Sequence, residues 1–220
     1  MSATDGPVPK GKGPGTPTAG TRRRRKPASE TRGEIIHTAE ALFRERGYGA
    51  VAIADIAAEL GMSPANVFKH FHSKANLVDA ITLRHIETAV ERFAAIGTDG
   101  PAPVQLHHIV KTLMEAHLRD LQQNPYLFEM ILLTANADLQ CGNRYREMMV
   151  ERFERVIEQG CRDGCYTVSD VPRAARSTFF ALGSVLHPVM IAHEHPDKLA
   201  TRCDEIVDLI NAALQGGLAK

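Results

Sequence analysis

Apolar residues recur at intervals of three and four from residue 35 to residue 213, and this spacing constrains the fold more than any other feature. Such a period places apolar side chains on one face of an α-helix. Two clear examples are Ile35, Ile36, Ala39, Leu42, Phe43 and Leu199, Cys203, Ile206, Ile210, Ala213. We find no convincing run with the alternation of a half-buried strand. The pattern predicts an all-α protein of about nine helices.

Two short helical patterns meet at Gly61, within the segment from Ile53 to Phe71. Ser63 can cap the second helix and Pro64 suits its first position, where a missing N–H costs nothing. Gly61 permits the left-handed turn between the helices. The second helix is too short to be stable alone, so its neighbours must hold it in place. This is the shape of a helix-turn-helix motif.

The outward positions of the second helix are small or polar, as contacts to base edges and phosphates in a major groove require. We predict that these DNA-binding residues are Ala65, Asn66, Lys69 and His70. Ser63 is expected first to cap the helix and second to bind a phosphate. Phe68 either stacks on the sugar-phosphate backbone or packs inside. Lys74 starts the fourth helix, where its charge and the helix N-terminus both favour a phosphate.

Charge is distributed unevenly along a chain whose formal net charge is zero. The first 33 residues hold 8 Lys/Arg against 2 Asp/Glu, and Arg22, Arg23, Arg24, Arg25 and Lys26 are consecutive. Residues 1–28 contain almost no large apolar side chains, so they are predicted to be a disordered basic tail. Such an arm can reach into a minor groove. The alternative is a solvated charge cluster.

The chain is therefore expected to have three parts: the tail at 1–28, a helix-turn-helix domain at 29–75, and a helical domain at 76–220 for effector binding and dimerisation. The capping-box spacing of Thr31 and Glu34 predicts the start of the first helix. Ser73 is predicted to cap the fourth helix. Asp170, with Pro172 in the first turn, is predicted to cap the penultimate one.

About 50 residues around this motif resemble the N-terminal domain of the TetR family of bacterial transcriptional regulators. The matching motifs are Ala41-Leu42-Phe43 with Arg46-Gly47-Tyr48, Asp55-Ile56-Ala57, Gly61-Met62-Ser63, and Val67-Phe68-Lys69-His70-Phe71 with Ser73-Lys74. The resemblance implies a homodimer on a near-palindromic double-stranded operator, with a small molecule that weakens DNA binding. It also implies repression. Phe68 stands where the family usually has Tyr, so the basic tail is expected to compensate for the lost backbone contact.

The resemblance implies that helices four to eight enclose the effector pocket. The predicted lining is Phe93, Leu113, Met114, His117, Phe128, Met130, Ile131, Met149 and Phe153. A lining rich in Met and Phe suits a hydrophobic effector. His117 is the one titratable group on this otherwise apolar face. The alternative is that each of these residues is simply core.

Dimerisation is assigned to the last two predicted helices, which would form a four-helix bundle with their copies. The predicted interface is Phe179, Leu182, Leu186, Leu199, Cys203, Ile206 and Ile210. The alternative is that these faces pack on their own domain.

Other classes of function find little support in the sequence. We expect neither metal nor cofactor, because His193-Glu194-His195 lacks the spacing of a metal site. Cys161 and Cys165 are four residues apart, but Gly164 is expected to end the helix between them. No apolar run reaches about 20 residues and no signal peptide is present, so a cytoplasmic protein without membrane contact is expected. Catalytic motifs are absent. An all-α enzyme and a non-sensing architectural DNA-binding protein remain as alternatives.

Overall fold

The computed structural model describes residues 27–94, 99–133 and 139–216, with the side chains of 89–94 and 133 left out. In these ranges the chain forms eleven helices and no strand, which confirms the all-α prediction. The helices are α1 Ala28–Arg46, α2 Ile53–Glu59, α3 Pro64–His70, α4 Lys74–Ala94, α5 Ala102–Gln123, α6 Pro125–Leu133, α7 Gln140–Arg162, α8 Val171–Ala181, α9 Gly183–Leu186, α10 Pro188–Ala192 and α11 Pro196–Gln215.

The first helix begins at Ala28 and not at Thr31. Thr31 lies inside α1, where its hydroxyl donates to the Pro27 carbonyl at 3.3 Å. The predicted capping box is therefore wrong, because a hydroxyl inside the helix bonds backward to a carbonyl instead of capping a free N–H. Predicted caps elsewhere are confirmed. The Asn76 N–H donates to Ser73 Oγ at 3.1 Å, and the Arg173 N–H donates to Asp170 Oδ1 at 3.0 Å.

The penultimate predicted helix is divided into three, which raises the predicted count of about nine to eleven among the described residues. The helix ends at Ala181, restarts as α9, and ends again before His187. His187 has an extended ψ of 128° because Pro188 follows it, and a proline disfavours the helical conformation of the preceding residue. Leu182, Val185, Leu186 and Ile191 of this stretch are buried in the C-terminal core.

Two hydrophobic cores organise the fold. The first core contains buried residues of α1 to α4, including Ile56, Val67 and Ile81, and the second contains those of α5 and α7 to α11. Helix α6 contributes Tyr126, Leu127 and Met130 to the first core. The first core thus extends past the predicted domain boundary at residue 75, through α4 and on to α6.

Among the described residues, none of the helices has both the length and the apolar character that a membrane crossing requires.

Candidate nucleic-acid interface

The turn between α2 and α3 holds the two helices at a fixed angle. Gly61 has a φ of +62°, the left-handed conformation that only glycine adopts without strain. The N–H of Gly61 donates to the Ala58 carbonyl at 3.0 Å, and that of Met62 donates to the Ala57 carbonyl at 2.9 Å. Ala57 and Val67 are fully buried. A small residue at the crossing and an apolar anchor under α3 therefore position α3 against α2.

The opposite face of α3 is open to solvent. Ala65 and Lys69 are exposed, and Phe68 exposes 45% of its surface. Phe68 is consequently not a packing residue, and of its two predicted roles only the outward one fits its position. Asn66 and His70 are half-buried. The predicted base-reading residues therefore share a helix of only seven residues, and all five retain contact with solvent.

Ser63 occupies the N-cap position of α3, but its side chain makes no capping hydrogen bond. Its carbonyl accepts the Asn66 N–H at 2.9 Å instead. The predicted side-chain cap is thus wrong, because α3 begins with a backbone turn. The exposed hydroxyl of Ser63 stays a predicted phosphate ligand.

Lys74 does not hold its ammonium group free at the start of α4. Its Nζ donates to the Tyr48 carbonyl and lies 3.9 Å from the centroid of the Tyr48 ring. Burial lowers the pKa of Lys74. The ammonium therefore fixes the loop after α1 to α4, and the predicted phosphate contact would require it to leave these partners.

A buried carboxylate ties α1 to α4 and α6 beneath this motif. Glu40 accepts hydrogen bonds from Arg44 at 3.3 Å, from the Tyr126 hydroxyl at 2.9 Å, and from Arg84. His85 Nε2 lies 2.7 Å from the same carboxylate. Burial acts against ionisation, but the hydrogen bonds of His85 and Tyr126 and the charges of His85 and Arg84 outweigh it and lower the pKa of Glu40 to about 2. Helices α4 and α6 are thereby attached to α1 through one charge.

The sequence analysis did not single out Glu40, although a signal was available. It lies one helical turn after Ile36 and one before Phe43, on the apolar stripe of α1. A carboxylate in such a stripe needs cations or donors around it. The pattern alone did not show that Arg84, His85 and Tyr126 supply them.

The basic run Arg22–Arg25 lies outside the described residues. Helix α1 begins at Ala28, so the run directly precedes the core that carries α3. Its role as a minor-groove arm stays a prediction.

The predicted lining of the effector pocket falls in different places. Leu113, Met114, Met149 and Phe153 are buried in the second core. Met130 belongs instead to the first core, with residues of α1 and α4, so its place in that pocket stays a prediction. Among the others, Phe128 is buried outside both cores, Ile131 is half-buried, and the Phe93 side chain lies outside the described residues.

His117, the remaining predicted residue, is the distinctive one. Its Nδ1 atom is buried without a hydrogen-bond partner, and burial lowers its pKa. Its ring centroid lies 6.0 Å from that of Tyr145 on α7. Tyr145 was not predicted, because its sequence position does not show that it faces α5.

A cleft of about 570 Å³ opens where α7 ends beside the start of α5. Arginines and polar groups dominate its lining, which is Gly100, Gln105, Arg152, Arg155, Val156, Glu158, Gln159 and Arg162. It shares no residue with the predicted effector pocket.

Most of the predicted dimer interface faces the interior of the chain itself. Buried in the second core are Leu182, Leu186, Leu199, Cys203 and Ile210, whereas Phe179 and Ile206 are half-buried. The enclosure of these five side chains in their own core favours the alternative that these faces pack on their own domain. The exposed apolar residues on α8 and α11 are instead Phe180 at 66% and Leu209 at 70%.

Histidines near the C-terminal helices serve as helix caps. His187 Nδ1 accepts the Val189 N–H and His195 Nδ1 accepts the Asp197 N–H, both at 3.3 Å. In the described part of the chain, no group of three or more His, Cys, Asp and Glu side chains lies close enough to hold a metal ion. Cys141, Cys161, Cys165 and Cys203 are all free thiols.

Comparisons with known proteins match both halves of the chain. The model of bacterial regulatory proteins of the tetR family matches residues 35–81. The model of the tetracyclin repressor-like C-terminal domain matches residues 102–207. The two matches lie on the cores described above.

Individual relatives are similar over smaller parts. The transcriptional activator FasR of Mycolicibacterium smegmatis is 37% identical over 75 residues, 34% of each chain, so the match spans about a third of that relative. The transcriptional repressor KstR2 of Rhodococcus jostii is 28% identical over 150 residues, 64% of this chain and 72% of the repressor.

The fold is also found in solved structures. The repressor FadR of Thermus thermophilus, in complex with lauroyl-CoA, superposes with a TM-score of 0.61. The match covers 81% of this chain and 92% of FadR at 19% identity, which shows the fold alone.

Proposed function

Because the chain belongs to the TetR family of bacterial regulatory proteins, we propose that it is a ligand-responsive transcriptional regulator. In this proposal a homodimer binds a near-palindromic operator in the bacterial cytoplasm, represses transcription, and is released by a small molecule. It is a regulator and not an enzyme. Its relatives include a repressor, KstR2, and an activator, FasR, so the direction of control is a separate part of the proposal from DNA binding.

The solvent-facing surface of α3 is the observation that carries the proposal. A short helix anchored by buried Val67 and exposing Lys69 has the shape of a recognition helix in a major groove. An Asn side chain is suited to adenine and a Lys side chain to guanine, so Asn66 and Lys69 are assigned to base edges. Ser63 and His70 flank them as phosphate ligands.

The test begins with the operator. Random DNA duplexes enriched on the wild-type protein are expected to converge on an inverted repeat, because a two-fold dimer reads two half-sites. The variant Asn66→Ala/Lys69→Ala should then lose selective binding to the enriched duplex. Lys111→Ala, an exposed lysine on α5, is the matched control and should bind as the wild type does. Unchanged selectivity of the double variant would contradict the proposal.

The basic run contributes contacts of a different kind. Arg22–Arg25 precede α1 and are proposed to reach phosphates in the minor groove next to α3. Each neutralised phosphate adds about −0.9 to the slope of log K against log salt. Replacing the four arginines by Gln should therefore flatten this slope by roughly one unit per contact. A slope equal to that of the wild type would eliminate the arm.

The dimer is proposed to form through the exposed apolar residues of α8 and α11. These two helices pack against each other, and they leave Phe180 and Leu209 mostly uncovered. Large exposed apolar side chains of this kind mark an interaction surface. Leu209→Glu is expected to give monomers by analytical ultracentrifugation. Leu132→Glu, at an exposed leucine on α6, should leave the dimer intact, and an intact Leu209→Glu dimer would contradict the assignment.

Effector binding is assigned to the second core, which coincides with the C-terminal family match. FadR, in complex with lauroyl-CoA, has the same fold. In this chain Leu113, Met149 and Phe153 provide apolar surface for a ligand. We expect its binding to weaken the affinity for the operator.

A further inference from the structure

Three polar atoms in the C-terminal half are buried without a hydrogen-bond partner. They are His117 Nδ1 on α5, Tyr145 Oη on α7 and Ser184 Oγ on α9. In the described part of the chain, the fourth such atom is Thr82 Oγ1 on α4. Leaving a buried polar group unpaired is unfavourable, and more than about 90% of such groups are paired in native proteins. Three of them in one half of the molecule therefore require an explanation.

Helix α5, which carries His117, packs against both other helices that carry these atoms. The ring centroids of His117 and Tyr145 are 6.0 Å apart, and those of Tyr145 and Phe179 are 6.3 Å apart. Burial lowers the pKa of His117, and the neighbouring backbone of Leu186 partly opposes this effect. Ser184 lies on the same four-residue helix as Leu186, and that helix packs on α5. Aromatic rings and unpaired polar atoms therefore adjoin each other inside the second core.

Burial holds the pKa of His117 below its usual range, which favours a neutral imidazole. A nitrogen of a neutral imidazole either donates or accepts one hydrogen bond, depending on the tautomer. The hydroxyls of Tyr145 and Ser184 can donate or accept. A ligand group that can do both therefore fits Nδ1 in either tautomer.

A ligand hydroxyl can supply the missing hydrogen-bond partner of these atoms. A neutral hydroxyl donates to His117 Nδ1 or accepts from it, whichever tautomer is present, and it can exchange hydrogen bonds with the hydroxyls of Tyr145 or Ser184. A carboxylate would bring a charge into this core, and a neutral imidazole does not offset the cost of burying that charge. A hydrocarbon leaves the polar atoms unpaired. The adjoining rings favour a flat, apolar body behind the hydroxyl.

We propose that His117, Tyr145 and Ser184 form the polar subsite of the effector pocket, and that the effector is a neutral aromatic compound carrying a hydroxyl group. This inference rests on the proposed function, because it specifies the ligand of that regulator. It separates the effector site from the arginine-lined cleft beside α7, whose Arg152, Arg155 and Arg162 suit an anion.

The test compares three probes of similar size on the full-length protein: phenol, toluene and benzoate. Isothermal titration calorimetry should show phenol binding about tenfold more tightly than toluene, the worth of one neutral hydrogen bond, and no binding of benzoate to this subsite. Phenol binding that is no tighter than toluene binding would overturn the proposal. So would benzoate binding more tightly than phenol and losing affinity in His117→Phe.

Variants localise the binding. Tyr145→Phe removes only an unpaired oxygen, so the protein should fold normally and lose about tenfold in phenol affinity while toluene affinity stays constant. His117→Phe should do the same. Thr82→Val is the matched control, because it removes an equally unpaired hydroxyl outside the subsite, and its phenol affinity should equal that of the wild type. Equal phenol affinity in wild type and Tyr145→Phe would remove Tyr145 from the site.

Failure of this inference and failure of the proposed function give different results. If the unliganded protein binds its enriched duplex selectively but phenol fails as above, the regulator stands and only the subsite is rejected. If the protein selects no duplex, the regulator is rejected whatever phenol does. If both hold, phenol should reduce duplex binding by the wild type. Tyr145→Phe should then need about tenfold more phenol for the same reduction.

Discussion

The two cores differ in whether their buried polar groups have hydrogen-bond partners. Under the helix-turn-helix motif, Glu40 has four partners drawn from three helices. In the C-terminal half, His117, Tyr145 and Ser184 each keep an unpaired buried atom. Thr82 is a single exception on α4, beside the first core. A hydrogen-bonded network therefore fixes the helices of the DNA-binding unit. Unpaired hydrogen-bonding groups lie in the half of the chain to which we assign effector binding.

The largest expected effect comes from breaking the satisfied network. Glu40→Ala leaves the Tyr126 hydroxyl and the half-exposed Arg84 without their acceptor, and hydrogen bonds to a charged group are worth about 1.5–3 kcal/mol. The free energy of unfolding, measured by urea denaturation, should fall by that amount. Glu45→Ala, at an exposed residue 3.8 Å from Arg46, should change it by less than about 1 kcal/mol. Similar losses in both variants would show that the network is not special.

The same network predicts an acid dependence. The pKa of Glu40 in the folded state, about 2, lies below the ordinary value of 4.5. Ionised Glu40 therefore stabilises the fold above pH 4.5, and this contribution is lost as the pH falls toward 2. The shift corresponds to about 3 kcal/mol. The difference in unfolding free energy between wild type and Glu40→Gln should be constant above pH 5 and shrink below it. A difference independent of pH would assign the stabilisation to packing.

A third prediction concerns how tightly the second core is packed around Gly160. A Cβ atom at Gly160 would lie 2.1 Å from Tyr166 Cδ2 and 2.9 Å from Ala102 Cβ. Gly160→Ala should therefore destabilise the protein by about 1–3 kcal/mol. Gly142→Ala lies in the same helix with open space around it, and should stabilise by about 0.5–1 kcal/mol. If Gly160→Ala leaves the free energy of unfolding unchanged, the whole second core can rearrange to accept an added methyl group, and not only the region around its unpaired atoms.

The smallest effects give the sharpest contrast, because one chemical change is made in both cores. Tyr126→Phe removes a hydroxyl that contacts Glu40 and Arg44 at 2.9 Å each, and should cost about 1–2 kcal/mol. Tyr145→Phe removes a hydroxyl without a partner, and should be neutral or stabilise by up to about 1 kcal/mol. Thermal denaturation of the two variants measures both. Stability changes of the same sign in the two variants would contradict the proposed difference between the two cores.

Local signals were sufficient to predict the helix-turn-helix motif. The positive φ at Gly61, the buried positions of Ala57 and Val67, and the exposure of Lys69 all follow from residue type and helical spacing. Each depends on contacts within some 20 residues of the chain. Predictions of the same local kind failed where a competing signal was present, as at Thr31, since Pro27 allows α1 to begin earlier.

Long-range arrangement was not predictable in the same way. Periodicity showed correctly that Leu199, Cys203 and Ile210 share a face, but it cannot tell whether that face meets its own core or a second copy. Met130 lies in an apolar run without a distinct stripe, so its choice of core depended on how α6 is placed. Tyr145 and Ser184 were not predicted as ligand-binding residues, because a buried polar atom without a partner is visible only once its neighbours are known.

The position of α6 restricts where the DNA-binding and effector-binding parts of such proteins can be joined in a chimera. Tyr126, Leu127 and Met130 close one side of the core that supports the reading helix. A chimera joined after α4 would lose these side chains and the hydroxyl that holds Glu40, leaving Ile81 and its neighbours open to water. A working exchange of sensor modules must therefore either transplant α6 together with the N-terminal helices or supply a foreign helix with the same three side chains.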